Sequence, residues 1–420
     1  MGVFTKALAA VGTVLVCLPI VATIVSLAVG ASSPGRPADS LAAYGPLPAQ
    51  SASALVLGEG TVLTQTHFLF LPLIYGPPEE PLPWIDPSNR QVSLDYFNQV
   101  YRASEGVAIG WTGNHASCDA GETALAFREA VKLRINYFRA MAGVPGNVQL
   151  AGEYSSKAQQ AALMMSVNGQ LSHEPPPSWL CYTQEGAEAA GSSNLYLGVN
   201  GPSAITGYMY DPGSGNYAVG HRRWILYPQT EWMGTGDIPS TASYWSSNAL
   251  WVFDENMWEP RPQTREAYVA WPPPGYVPYQ VVFPRWSFAY DDADFSGATV
   301  EMSSGGQGIP VAVQPVVSGY GENTLVWEPD LLFDEPPPRD TVYNVTVRGV
   351  EIDGVAHDFA YQIIRFDPGP LAGMAGGTPS GLLDEPPVRA GGRGPWNRST
   401  PIMHQVGDYL HKKTVRPLIH

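Results

Sequence analysis

A change of hydrophobic period near Tyr268 constrains the fold of this chain more than any other feature. Before it, helical spacing is plain. Ala124, Phe127, Ala130, Val131, Ile135 and Phe138 recur every three or four residues, which is the signature of an amphipathic helix. The pattern begins near Thr123 and stops at Gly143, with Pro145 just beyond, a common helix ending. A second helix is predicted from about Glu153 to Asn168, followed by Gly169 and offered a cap by Ser155 or Ser156. Its apolar face (Ala158, Ala161, Ala162, Met165) is small, so close packing against another element is expected. A third helix is expected over Ala204–Tyr210, then a Gly- and Asn-rich loop over 211–220. Trp232–Ile238 and Asn248–Phe253 read as a hairpin-like pair of strands.

After Tyr268 only short β-type runs remain: Gln280–Phe283, Trp286–Tyr290, Ala298–Met302, Pro310–Val316, Thr324–Trp327, Val342–Val347 and Phe359–Phe366. Short strands at this spacing, parted by turn residues, predict an immunoglobulin-like β-sandwich over 268–367. Trp271-Pro-Pro-Pro274 reads as a stiff junction before it. The expected class is α+β, a mixed helix–strand domain followed by an all-β domain.

The termini read differently. Between Lys6 and Arg36 no charged residue occurs, and Ala, Val, Leu and Ile dominate. Residues 1–31 are therefore expected to be a signal peptide or a membrane anchor, since the run reaches the roughly 20 apolar residues a span needs. Lys6 would hold the N-terminus on the cytoplasmic side, leaving the rest secreted or anchored at the extracellular face. Residues 32–118 are expected to be a linker and N-terminal extension, including the strand-like Val62–Tyr75. Residues 368–420, rich in Gly and Pro without lasting periodicity, are expected to be a disordered tail. Asn344 and Asn397 satisfy the glycosylation pattern.

Outside the leader only Cys118 and Cys181 remain. In an exported chain they most simply form one disulfide, the alternative being two free buried thiols. The net charge of −15 argues against nucleic acid and against a polybasic lipid-binding surface.

The chemistry concentrates around Gly220-His-Arg-Arg-Trp-Ile-Leu226. Arginine is rarely buried unpaired, so Arg222 and Arg223 require acidic partners such as Asp211 or Asp237, or a cleft and an anionic ligand. A second histidine, His173, follows the second helix, and Glu185, Glu188 and Asp211 lie between the two. Two imidazoles and carboxylates suit zinc binding or acid–base work. The chain carries no H-E-x-x-H, no G-x-S-x-G and no Gly-rich phosphate loop before a helix.

The order of these segments is more specific than any one of them. Asn136-Tyr-Phe-Arg139 precedes a helix ending in Leu-Ser-His173; Asn194-Leu-Tyr-Leu-Gly198, Tyr208-Met-Tyr-Asp211, the Gly-His-Arg-Arg motif and Gly234-Thr-Gly236 follow. Over about residues 120–260 the chain resembles the CAP superfamily of cysteine-rich secretory proteins, antigen 5 and pathogenesis-related proteins, most nearly its bacterial-type branch. The resemblance implies an α-β-α sandwich over 119–262, around a cleft where two histidines and two acids hold a divalent metal in some members. His173 and His221 match the histidines and would be the zinc ligands. Ser193 stands where the family has Glu, with Glu188 as a substitute five residues earlier and Asp211 as the second acid. That departure puts metal binding and hydrolysis in doubt. What the resemblance implies is an extracellular binding module for a lipid, a cell-wall component or a protein partner, with a cleft of His173, His221, Glu188, Asp211 and Arg222. The alternatives are a metal-dependent hydrolase or peptidase using the same histidines, and a structural, adhesive surface protein.

Overall fold

The computed structural model describes residues 84–370 and the short segment 402–404. The expected leader, the linker, Val62–Tyr75, Asn397 and most of the tail lie outside the described residues. Among the described residues no helix is long and apolar enough to cross a membrane.

Helix α1 (Arg90–Tyr96) is capped by Asn89, whose side chain accepts from Gln91 N and Val92 N. It runs on through a π turn, Phe97–Tyr101, and a 3-10 turn, Arg102–Ser104. These turns lie within the segment read as linker and N-terminal extension. Phe97 and Tyr101, one helical turn apart, stack on each other and meet the edge of Tyr137. Two aromatic rings anchor this helix, too few for a period to show in the sequence.

Helix α2 (Leu125–Ala142) ends where the periodicity stops, at Gly143 in the left-handed conformation with φ 82°. After β1 (Gln149–Leu150), helix α3 (Gly152–Asn168) begins without the expected serine cap. Its N-cap is Ala151, and Ser155 Oγ instead accepts the Thr235 N–H at 3.3 Å. Then come α4 (Gln184–Ala190), β2 (Ser193–Leu197), α5 (Gly201–Tyr210), α6 (Gly220–Ile225), β3 (Trp232–Ile238) and β4 (Ser247–Trp251). The segment Ile402–His404, expected within a disordered tail, is a further strand. It pairs antiparallel with Leu195–Leu197 and completes the sheet order β1-β3-β4-β2-Ile402–His404.

Every residue of β2 and β4 is buried, so helices cover both faces of this sheet. On one face Leu195, Leu197, Ile238, Ala249 and Trp251 pack with alanines of α3 and α4. On the other, Tyr196, Met233 and Leu250 pack with α2, α5 and α6. This alternation follows from the two-residue period of strands. The small face of α3 is matched by glycines: a Cβ on Gly236 would lie 2.1 Å from the Ala158 carbonyl carbon. The architecture is the expected α-β-α sandwich.

The rest is a two-sheet sandwich. One sheet contains β5 (Val269–Trp271), β7 (Trp286–Ala289), β10 (Val311–Val313) and β11 (Thr324–Pro329), in the order β10-β11-β7-β5. The other contains β6 (Gly275–Pro278), β8 (Thr299–Ser304), β9 (Gln307–Ile309), β12 (Thr341–Ile352) and β13 (Val355–Phe366), in the order β6-β13-β12-β8-β9. Gln280–Phe283 is not a strand; Tyr279–Val281 is a 3-10 turn, hemmed by Pro278 and Pro284. Trp271 is not a junction residue either. It ends β5, is fully buried, and meets Phe138 of α2 edge-on at 5.2 Å. One continuous hydrophobic cluster runs from Phe127 and Phe138 through Trp271, Phe283 and Trp327 to Val350. The two halves thus share a core.

Candidate functional site: a buried histidine pair and an aromatic groove

Asp211 caps the end of α5 with φ 54°, and Val219 enters α6 with φ 46°. These two left-handed residues turn the loop so that His221 returns onto Asp211. Asp211 Oδ2 accepts the His221 backbone N–H at 3.1 Å, and Oδ1 lies 2.7 Å from Nδ1. A carboxylate only accepts, so Nδ1 carries a proton and Nε2 is the remaining position. The imidazole stacks on Tyr208 at 5.2 Å, and both His221 and Asp211 are 0% exposed.

A polar layer missed from sequence surrounds this pair. Tyr208 donates to Asn248 Oδ1 at 2.8 Å, and Asn248 Nδ2 donates to Asp237 Oδ1 at 2.8 Å. Asp237 also accepts from Gly201 N at 2.6 Å and from the Thr235 hydroxyl at 2.8 Å. Burial pushes the Asp237 carboxyl above its ordinary range, against these three hydrogen bonds. Asn194 donates to the His221 carbonyl at 3.1 Å. Asp237, Thr235, Asn194 and Asn248 sit at strand positions facing the α5 side. Their signal was polar residues at period two inside otherwise apolar strands.

The other expected site residues have partners of their own. His173 Nδ1 is 2.7 Å from the Ala190 carbonyl at the end of α4. Glu188 is exposed on α4 and pairs with Lys157 at 3.1 Å, which also holds Glu153 at 2.8 Å. Ser193 is fully buried at the start of β2. The structure therefore joins His221 to Asp211 but commits Glu188 to Lys157. Among the described residues no three or more His, Cys, Asp or Glu side chains come together as a metal site. Arg222 does not line an open cleft: it is 0% exposed, with Nε on the Met209 carbonyl at 2.7 Å and Nη1 on the Arg285 carbonyl at 2.8 Å. The expected acids Asp211 and Asp237 pair with neither Arg222 nor Arg223; backbone carbonyls replace them.

Arg139 shows the same solution in full. Nε donates to Pro145 O at 2.8 Å, Nη1 to Ile225 O and Tyr227 O at 2.8 Å each, and Nη2 to Pro228 O at 3.3 Å and Thr230 O at 3.0 Å. Every N–H of the guanidinium is used, and burial lowers its pKa to about 9.

Cys118 and Cys181 form the expected disulfide, Cα atoms 5.1 Å apart. It ties the loop before α2 to the segment before α4. Beside it His115 stacks on Tyr244 at 4.4 Å and contacts Ser166 Oγ at 3.2 Å.

An open concavity lies on the α3–α4 side. A groove of about 530 Å³ is lined by Glu153, Tyr154 and Lys157 of α3, Glu188 of α4, and Trp251, Phe253, Asp254, Glu255 and Trp258. Tyr154 and Trp251 stack at 4.7 Å, 5° from parallel. Trp258 at the lip is 78% exposed.

The model of the cysteine-rich secretory protein family, CAP, matches residues 133–253, which carry a CAP domain. No curated protein matches the chain. Two solved structures of PcoC, a methionine-rich copper resistance protein from Escherichia coli, show similarity to it. The first is 18% identical over 23% of this chain and 92% of its own, with a TM-score of 0.18. The second, the selenomethionine form, is 17% identical over 25% of this chain and 99% of its own, also with a TM-score of 0.18. Nothing is carried over from PcoC to this chain.

Proposed function

We propose that this protein is an exported, CAP-type binding module whose groove beside α3 and α4 takes a cationic segment of a partner protein. The observation that carries the reading is Trp258, an indole 78% exposed at the lip of a groove floored by the stacked Tyr154 and Trp251. An exposed Trp above a packed aromatic floor has the composition of an interface anchor. Glu153, Glu188, Asp254 and Glu255 face one lysine there, so the lining favours a positive partner. Lys157 Nζ already stands 5.8 Å from the Trp251 ring, the kind of cation–ring contact a ligand would extend. The disulfide fits an oxidising compartment.

The test is titration of the full chain with a short Lys- and aromatic-containing peptide, followed by tryptophan fluorescence at two salt concentrations. Trp258→Ala should weaken binding by about 30-fold, the loss expected for a hot-spot residue. Added salt should weaken it further. If a neutral cell-wall glycan binds instead, or if Trp258→Ala binds as the wild type does, the reading is wrong.

A further inference from the structure

We infer that a small cavity between α6 and the β5–β7–β11 face of the sandwich is a binding site for a monovalent anion of halide size. The cavity has a volume of about 20 Å³, room for one small occupant. Arg222, Arg223, Ser287, Ala289, Glu322 and Thr324 are among the residues that line it.

Both arginines are buried, Arg222 0% and Arg223 6% exposed. Arg222 uses Nε on Met209 O and Nη1 on Arg285 O and on Ser287 Oγ at 3.2 Å. Its Nη2 has no hydrogen-bond partner among the described residues. Arg223 uses Nη1 on Val317 O at 2.8 Å and Nη2 on Glu322 O at 2.9 Å, which leaves Nε in the same condition. Two buried guanidinium groups thus line one cavity, each with a donor to spare. Ser287 Oγ accepts from Arg222, so its own proton can point at an occupant.

Charge decides between water and an anion. Among the described residues no carboxylate pairs with Arg222 or Arg223. Asp211 belongs to His221, and the Glu322 carboxylate is held by Arg261. Arg222 and Arg223 line the cavity beside the Glu322 carboxylate, which Arg261 neutralises, and the other carboxylates of the neighbourhood, Asp211, Asp291 and Asp292, form no ion pair with either arginine among the described residues. Buried charge without a counter-charge is unfavourable, and a halide supplies what a water molecule cannot.

The experiment is thermal unfolding of the full chain in sodium chloride, bromide or gluconate at equal ionic strength. Chloride and bromide should raise Tm saturably by about 2–4 °C over gluconate, which is too large to enter. A bromide-soaked crystal should show an anomalous peak between Arg222 Nη2 and Arg223 Nε. Ala289→Val, which narrows the cavity and leaves both arginines in the sequence, should fold and lose the halide-specific rise. Equal Tm in all three salts, a water in place of the bromide peak, or an unchanged rise in Ala289→Val would each overturn the assignment.

Discussion

Asp211 binds His221 twice, once through the backbone N–H at 3.1 Å and once through Nδ1 at 2.7 Å. The same aspartate ends α5 in the left-handed conformation. One side chain therefore sets both the turn of the chain and the tautomer of the imidazole.

This separates two substitutions. Asn tolerates left-handed φ and keeps one acceptor, so Asp211→Asn should cost about 1–3 kcal/mol for the lost acceptor. Asp211→Ala loses both acceptors and adds backbone strain of about 1 kcal/mol or more. Urea unfolding of the two variants should rank them in that order; the reverse order would contradict the double role.

Arg139→Lys should be severely destabilising, by about 3 kcal/mol or more, although it keeps the charge. An ammonium has three donors, and five carbonyls surround the Arg139 position. Equilibrium unfolding would reveal a mild loss if the carbonyls could relax toward lysine.

Gly236→Ala should be worse than its size suggests. The added Cβ would sit 2.1 Å from the Ala158 backbone, which forces α3 off the sheet, at a cost of about 3 kcal/mol or more. Gly152→Ala at the start of the same helix meets nothing within 4 Å and should gain about 0.4–1 kcal/mol. The pair of melting temperatures gives the comparison.

His115 predicts an acid-side loss of stability. Burial lowers its pKa below 6.5, so the fold prefers the neutral ring. The groups facing it are Tyr244, Trp111 and Ser166, none charged. Its contribution is complete above the unfolded value of about 6.5 and is lost as pH falls through that value toward the folded one. The gap in Tm between pH 7.5 and 5.5, two arbitrary points about one unit either side of that value, should shrink in His115→Phe. An unchanged gap would assign the acid sensitivity elsewhere.

Removing the disulfide by Cys118→Ser with Cys181→Ser should cost on the order of 4 kcal/mol, because its 63-residue span restricts the unfolded chain. Reduction of the wild type should reproduce the shift in Tm.

Much of the fold was legible because its signals are periodic. The α2 spacing, the small face of α3 and the β3–β4 pair all stand in the sequence at their own positions. The partners of the arginines were not legible. Arg139, Arg222 and Arg223 are held by carbonyls, among them those of Pro145, Met209, Arg285 and Val317, and a carbonyl has no residue type by which to find it. The partner of Glu188 was hidden for a related reason. Lys157, with which it pairs, lies 31 residues back on another helix, and only the packing of α3 on α4 brings the two together. Trp271 read as linker because the prolines after it dominate its local composition, while its burial is set by α2, more than a hundred residues earlier.

The carbonyls that hold Arg222 and Arg223 belong largely to the sandwich, and the ring packed on Phe138 belongs to its first strand. A cut near Pro260 would leave two stranded cations and a tryptophan-sized hole on the first fragment, and the carbonyls and the ring that answer them on the second. The family-matched segment of this chain is thus no portable cassette, and its evolution is tied to that of the sandwich: a shift of the backbone at Arg285 or Val317 is felt in α6, next to the histidine.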